Sequence, residues 1–436
     1  MSNSAEPPRR GLEFCCVAGF NAFGQLGGCG GYTDDNDGKD DDNIDNNNTT
    51  TTTTITTTTT PPTPSPNQHT FRPLPNPSSP PDSEPVTPLF ASWSSTALVA
   101  CSTRRVRSLG QQKLSSGVSV GTDGCGAGGL EAFGDHGGVR GVLDTAGGRL
   151  YWVSEIGGVG VGGGGGSGSI EEGGGLMIDV TDEASPALGH IALAPGSERL
   201  AVSFAQAPGG KLTHIAEFTS AENFLTWFKD PSGEGKYPDR HFMLPGRAKQ
   251  LVANTATFLV LMEDGGVFSW GDGRFRTLGR GIVGEGAVGA GEPGVVEALG
   301  GLGIAKVACG GWMSAAVSGD GALFLWGRAG VGAIGCLGGV GVGEVALVEL
   351  LAEGGEVLDV VDVGVGDGHV AAVTADGGLW VVGGNCNGQL GLGDEGREFV
   401  AEWTVVPALR GVRRVVCGPL ATFVWVGEGG CVPTGV

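Results

Sequence analysis

Apolar runs of five or six residues recur through the second half of the chain, joined in pairs by Asp-Gly. TFLVLM (257–262), SAAVS (314–318) and VAAVT (370–374) precede the turns; VFSWG (267–271), LFLWG (323–327) and LWVVG (379–383) follow them. Asp-Gly between two apolar runs predicts a tight β-hairpin, because the turn needs positive φ, which Gly adopts freely and Asp tolerates. Asp264, Asp320 and Asp376 stand 56 residues apart, and the preceding elements VACGG (307–311) and VGVGD (363–367) keep the same spacing. A constant period of about fifty residues built from antiparallel strands predicts the blades of a β-propeller.

The two ends of the chain each carry half of such a unit. VVCGPLATFVWVGEGG (415–430) supplies the first half, and LEFCCVAGFNAFGQLGG (12–28) supplies the second. Gly19, Asn21 and Gly24-Gln25-Leu26-Gly27 match Gly383, Asn385 and Gly388-Gln389-Leu390-Gly391 at one offset. The termini are therefore expected to meet in one blade, which closes the ring and removes an exposed sheet edge. Three weaker units stand at 90–111, 134–153 and 189–206, the last with Pro-Gly at its turn. With the three clear units and the composite blade they make seven.

The string V-x-C-G-x-x-His-x-x-A-L-x-x-D-G-x-L-x-x-W-G-x-N-x-x-G-Q-L-G resembles the repeat of the regulator of chromosome condensation family. It is spread here over Val307–Leu337 and Val363–Gly393, with a weaker copy at Leu251–Leu278. The resemblance implies an all-β, seven-bladed propeller and a protein-binding role. Members include an exchange factor for the small GTPase Ran, adaptors, ubiquitin-ligase modules and secreted inhibitors of β-lactamases, so the fold leaves the function open. Without a basic N-terminal tail, this chain is closer to the short, single-domain members.

Two stretches fall outside the strand pattern. Residues 32–88 are acidic, Asn/Thr/Pro-biased and nearly free of apolar side chains, which predicts a disordered insertion between the half-blade at 11–31 and the remaining propeller at 89–436. Residues 157–176 read as a flexible glycine loop. A third stretch, 219–245, interrupts the repeat differently. Thr219 with Glu222 reads as a capping box, followed by Phe224, Leu225, Trp227 and Phe228, so a short helix is expected near 220–229, ended by Asp230-Pro231.

Composition narrows the function. Gly supplies 85 of 436 residues with no Gly-X-Y period, consistent with many glycine turns and excluding collagen. The net charge of −21 disfavours a phosphate-backbone partner, since only −7 of it lies in 31–90. The start MSNSAEPPRR lacks an apolar signal-peptide core, and no apolar run is long enough for a membrane span. None of the ten cysteines forms a Cys-x-x-Cys pair, so a reducing compartment, cytoplasm or nucleus, is expected.

Candidate chemistry is sparse. The acidic run Thr33–Ile44 has Asp35, Asp37 and Gly38 in place for a calcium loop, but Thr33 and Ile44 occupy the two outer ligand positions. No Gly-Lys-Ser/Thr follows the glycine strings, and no Gly-x-Ser-x-Gly elbow occurs. His369 takes the repeat's His position, where other units carry Met313, Thr257 and Ala421, and reads as packing between blades. No catalytic residue, metal or cofactor is expected. The partner-binding candidates are Trp227 and Phe228 in the 219–245 insertion and Trp312 in the loop Gly310-Gly311-Trp312. The chain is expected to be a monomeric, non-enzymatic interaction scaffold or adaptor. Its protein partner would be a small GTPase or a chromatin-associated protein, with neither nucleic acid nor membrane bound directly. The alternative is a guanine-nucleotide exchange factor for a Ran-like small GTPase, with 219–245 as its wedge.

Overall fold

The structure, a computed structural model, describes residues 14–19, 68–74, 86–101, 103–116, 119–121, 129–155, 174–206, 209–233, 237–328, 345–393, 397–407 and 409–427. They form seven four-stranded antiparallel blades in sequential order, the outer strands of the first two pairing in parallel through Lys113–Ser116 and Gly174–Asp179 into one eight-stranded sheet. Blade 1 is Val86–Ala91, Ser95–Ala100, Val106–Gly110 and Lys113–Ser116; blade 2 is Leu130–Asp135, Gly138–Asp144, Arg149–Glu155 and Gly174–Asp179. Blade 3 is Leu188–Ala194, Arg199–Phe204, Leu212–Phe218 and Arg240–Pro245; blade 4 is Ala248–Ala253, Thr257–Met262, Val267–Gly271 and Gly294–Val295. Blade 5 is Ile304–Gly310, Trp312–Ser318, Leu323–Arg328 and Ala346–Val348; blade 6 is Val360–Val365, His369–Thr374, Leu379–Gly384 and Phe399–Val405. Blade 7 joins Val412–Cys417 and Ala421–Val426 to Phe14–Gly19 and Gln68–Pro73, so the two chain ends close the ring.

The three Asp-Gly turns link the second and third strands of blades 4, 5 and 6. In blade 3 the Pro-Gly turn lies one strand earlier, between Leu188–Ala194 and Arg199–Phe204. The boundaries of the two insertions need correction. Gln68–Pro73, inside the stretch expected to be disordered, pairs with Phe14–Gly19, and Val86–Ala91 already belongs to blade 1. Phe71 anchors that outer strand: a Cβ at Gly391 of the blade 6 loop would lie 2.3 Å from its ring. Gly174–Asp179 pairs with Arg149–Glu155, so the glycine loop ends before 174. Residues 20–67 and 156–173 lie outside the described residues, as do the Gly24–Gly27 match and the acidic run Thr33–Ile44.

The seven innermost strands surround a central channel of about 360 Å³, to which every blade contributes. Polar side chains on these strands tie several blades to the next. Glu131 accepts from the Ile191 amide at 3.2 Å and pairs with His190 at 2.6 Å. The Gln250 amide donates to the Val307 carbonyl at 2.8 Å and accepts from the Val307 N–H at 3.2 Å. Lys306 forms an ion pair with Asp362, whose other oxygen accepts from the Val415 N–H at 2.8 Å. Such ties satisfy polar groups that would otherwise be left unpaired in the channel wall.

Antiparallel order places the first-to-second and third-to-fourth connections of every blade on one face of the ring. The strand ends that bound residues 20–67, 156–173 and 329–344 lie on this face. So do the helix Ala221–Lys229 in blade 3 and the long connection 272–293 in blade 4. The opposite face carries the second-to-third hairpin turns, the three Asp-Gly turns among them, and the links between blades. The helix is capped by Ser220, whose hydroxyl accepts from the Asn223 N–H at 3.2 Å, one residue later than the Thr219 cap the sequence suggested.

Candidate functional site

Blade 4 has a fourth strand of only two residues, Gly294–Val295, so most of Val267–Gly271 would present an unpaired edge. The connection 272–293 covers it, organised by Arg280, which is 4% exposed. Its guanidinium donates to the carbonyls of Ser269 at 3.1 Å, Val288 at 2.7 Å, Gly289 at 3.1 Å and Glu292 at 2.8 Å. A planar fork of five donors suits this role, since it satisfies several carbonyls at once. Burial pulls the Arg280 pKa below its usual range, partly offset by Glu297.

The base of the same loop is equally fixed. Thr277 is fully buried; its hydroxyl is 2.9 Å from that of Thr257, and its carbonyl accepts from the Trp326 indole at 2.9 Å. Leu278 is buried beside it, with its carbonyl accepting from the Ser269 hydroxyl at 2.7 Å. Gly279 has φ +63° and a Cβ there would lie 2.9 Å from the Trp326 ring, so this position requires glycine.

Above this base stands an exposed crest, Arg274-Phe275-Arg276. Phe275 and Arg276 have φ of 58° and 63°, a left-handed pair of non-glycine residues. Such a conformation costs each residue on the order of 1–2 kcal/mol. Phe275, 39% exposed, meets the half-buried Trp312 edge-on at 4.9 Å between centroids. The Arg274 guanidinium lies 5.6 Å from the Trp312 ring, and that of Arg328 lies 4.9 Å from the Phe275 ring. Arg274 also donates to Asp272 at 2.7 Å, which holds that carboxyl below the ordinary carboxylate range. The result is a cation–aromatic–aromatic–cation row on the face that carries the long connections.

Elsewhere on this face Trp93, 45% exposed, stacks edge-on against His136 at 5.3 Å. Asp367 of blade 6 is in electrostatic reach of His136; burial pushes its carboxyl upward and His136 offsets the rise.

Of the residues expected to anchor a partner, the structure keeps only Trp312 at the surface. Trp227 and Phe228 are 8% and 1% exposed and pack into the core between blades 2 and 3, which corrects that expectation. Trp227 lies 5.2 Å from Phe218 and 5.9 Å from Phe204, and Phe224 lies 6.3 Å from Trp152. A nine-residue helix with four aromatic or aliphatic positions buries its apolar face on the propeller, because leaving those rings in water is the less favourable arrangement. Trp227→Ala is therefore expected to lower stability by about 4 kcal/mol, read by chemical denaturation. The crest arginines were not singled out in the sequence, yet a signal exists there: Arg276 aligns with Gly388, whose φ of 76° it shares.

No catalytic constellation accompanies this geometry among the described residues. Burial pushes the thiols of Cys309 and Cys417 up to about 12, and Cys15 upward as well, which leaves them protonated and unreactive. No group of three His, Cys, Asp or Glu converges as metal ligands would among the described residues. No helix among them is long and apolar enough to cross a membrane. His369 is fully buried between blades 6 and 7, with Nε2 3.1 Å from the Thr422 hydroxyl, which itself donates to the Gln389 carbonyl at 2.7 Å. Burial lowers its pKa to about 4. The unfolded chain, near 6.5, takes up the proton first. Stability is thus complete above pH 6.5 and falls by about 3 kcal/mol as pH drops toward 4. His369→Met, the residue at the matching position 313, should flatten this decline in a melting series from pH 7 to 4.

A ring of seven blades with its long connections gathered on one face defines a seven-bladed β-propeller. The sequence model of the Regulator of chromosome condensation (RCC1) repeat matches residues 264–317. Over 232 residues the chain is 31% identical to the E3 ubiquitin-protein ligase HERC2 of Homo sapiens, covering 50% of this chain and 5% of that protein. Over 217 residues it is 34% identical to RCC1 domain-containing protein 1 of Mus musculus, covering 42% of this chain and 56% of that one. The chain therefore spans about half or less of the length of these relatives. Prp20p of Saccharomyces cerevisiae, whose structure was reported with its binding properties to Gsp1p and histones, superposes with a TM-score of 0.58 at 15% identity, covering 96% of this chain and 92% of that one. The matched repeat, these relatives and the shared fold support a β-propeller of the regulator of chromosome condensation repeat type.

Proposed function

We propose that the chain is a non-enzymatic protein-interaction scaffold that docks its partner on the face carrying Phe275 and Trp312. The observation that supports this most is the crest at 274–276: Phe275, exposed and set in a left-handed backbone braced from beneath by Arg280, meets the half-buried Trp312 edge-on. A rigid aromatic anchor loses little freedom on binding, so its contacts convert efficiently into affinity. A loop raised on a rigid ring is also where propellers of unrelated function place their recognition residues. Six free cysteines among the described residues support a reducing compartment, cytoplasm or nucleus.

The competing reading is exchange on a Ran-like small GTPase. Its wedge was expected at 219–245, but the helix of that segment turns Phe224, Trp227 and Phe228 into the core, which favours the scaffold. The test is release of fluorescent GDP from a Ran-type GTPase on addition of the purified chain. The scaffold reading expects release at the intrinsic rate, together with a stable partner in affinity capture that Trp312→Ala no longer retains. Accelerated GDP release overturns it in favour of exchange.

A further inference from the structure

We propose that Asp367, at the mouth of the central channel on the face that carries the long connections, receives the guanidinium of an arginine presented by a basic segment of the partner. This rests on the scaffold reading and names the side chain that the partner must bring.

The first ground is the ring of first-to-second connections. Their main chains are linked from blade to blade. The Gly196 N–H donates to the Thr255 carbonyl at 2.7 Å, the Thr255 N–H to the Gly311 carbonyl at 2.9 Å, and the Asp367 N–H to the Pro419 carbonyl at 2.9 Å. Thr255, Gly311 and Asp367 stand 56 residues apart, so they occupy one position of the repeat. Thr255 turns its hydroxyl back into the ring and donates to the Gly311 carbonyl at 2.5 Å. Asp367, two residues beyond Val365 of the channel wall, does not close in this way. Its carboxyl accepts no hydrogen bond and forms no ion pair among the described residues.

The second ground is how that carboxyl is held. Gly311 makes room for it: a Cβ there would lie 2.5 Å from Asp367 Oδ1. The group therefore rests half-buried against the backbone of blade 5, and burial pushes its pKa up. A carboxylate drawn out of water without a donor costs stability, and a guanidinium supplies two parallel N–H donors that match its oxygens. His136 is in electrostatic reach without forming an ion pair. Arg274 is engaged by Asp272 and Arg328 lies over the Phe275 ring, and neither forms an ion pair with Asp367.

The third ground is the aromatic rim. Trp312, half-buried, directly follows Gly311 on one side. On the other side, Gly418 precedes the Pro419 that bonds Asp367, and a Cβ at Gly418 would lie 2.6 Å from that of Ala91. Trp93 stands two residues beyond Ala91, 45% exposed and edge-on to His136 at 5.3 Å. Asp367 thus lies between rim loops that carry Trp312 and Trp93. A guanidinium can stack on an indole by its face while its edge binds a carboxylate. The net charge of −21 draws a basic segment toward the ring.

The test uses the full chain and a fluorescein-labelled twelve-residue peptide of Gly and Ser with three Arg, followed by anisotropy. The peptide is expected to bind, with affinity that falls as salt rises. Asp367→Asn should weaken binding about tenfold or more, as loss of one charge-assisted pair does. The same variant should not lower Tm, because it removes a half-buried charge that lacks a donor. That contrast separates lost recognition from lost folding. Trp93→Ala should weaken binding about threefold. Glu353→Gln removes one exposed carboxylate from the turn before Val357–Leu358 on the opposite face and should leave affinity unchanged. Four results would overturn the proposal: no binding by the parent chain, Asp367→Asn binding as tightly as the parent, Glu353→Gln weakening binding as much as Asp367→Asn, or a citrulline version of the peptide binding equally well. Failure here with a partner still captured through Trp312 removes the arginine contact only, whereas accelerated GDP release removes the scaffold reading itself.

Discussion

Arg280→Met is expected to lower the stability of the propeller by about 4 kcal/mol, the largest effect of any single substitution in the blade 4 connection. The side chain is 4% exposed and its guanidinium reaches the carbonyls of Ser269, Val288, Gly289 and Glu292. Methionine has similar length and no donor. Each acceptor left behind forfeits its partner at about 1–3 kcal/mol unless water enters, and the tight loop admits water to only some of them. The loss of a buried cation returns part of this, since burial disfavours the charged form. Arg280→Lys is expected to fall between the two, because a point charge cannot span four carbonyls spread around a planar fork. Urea denaturation with an unchanged slope would register the shift. The crest at 274–276 rides on the same connection, so partner binding should weaken with it.

Deleting residues 1–74 is expected to abolish cooperative unfolding altogether. That deletion removes Phe14–Gly19, whose six residues pair in register with Ala421–Val426, and Gln68–Pro73 outside it. Cys16, Val17 and Ala18 are each no more than 1% exposed, so the loss opens the core between blades as well as the sheet edge. A ring cut in this way surrenders an amount comparable with the whole stability of a domain, about 5–15 kcal/mol, and exposes a long unpaired strand edge that promotes aggregation. A circular permutant that places residues 14–74 after Gly427 keeps every strand pairing and should recover a single cooperative melt. A deletion chain that melts cooperatively at the parental temperature would show that closure contributes little.

The fold was largely legible because its signals are local and repeated. Asp264, Asp320 and Asp376 mark the same hairpin three times, and a single misreading could not reproduce their spacing. Closure was legible because one repeat had been divided between the two termini. The outer strand Gln68–Pro73 was hidden by its neighbours: six residues with one aromatic anchor, Phe71, carry little weight within a Thr/Pro-biased stretch. The site was far less legible. The helix at Ala221–Lys229 could be placed from its cap and its terminator, but which face it buries depends on Trp152, Phe204 and Phe218, which are distant in sequence. Arg280 acts on main-chain carbonyls, and carbonyls leave no residue-type pattern to find. Arg276 could have been noticed by aligning it with Gly388, since an arginine in a left-handed glycine slot is conspicuous once the repeat is in register.

Hydroxyl-radical footprinting of the propeller with its captured partner tests the central claim most directly. Phe275 and Trp312 should lose reactivity in the complex, while Leu351 and Val357, 50% and 52% exposed on the opposite face, keep theirs. Protection at Leu351 and Val357 with Phe275 and Trp312 unchanged would place the partner on the other face and contradict the account.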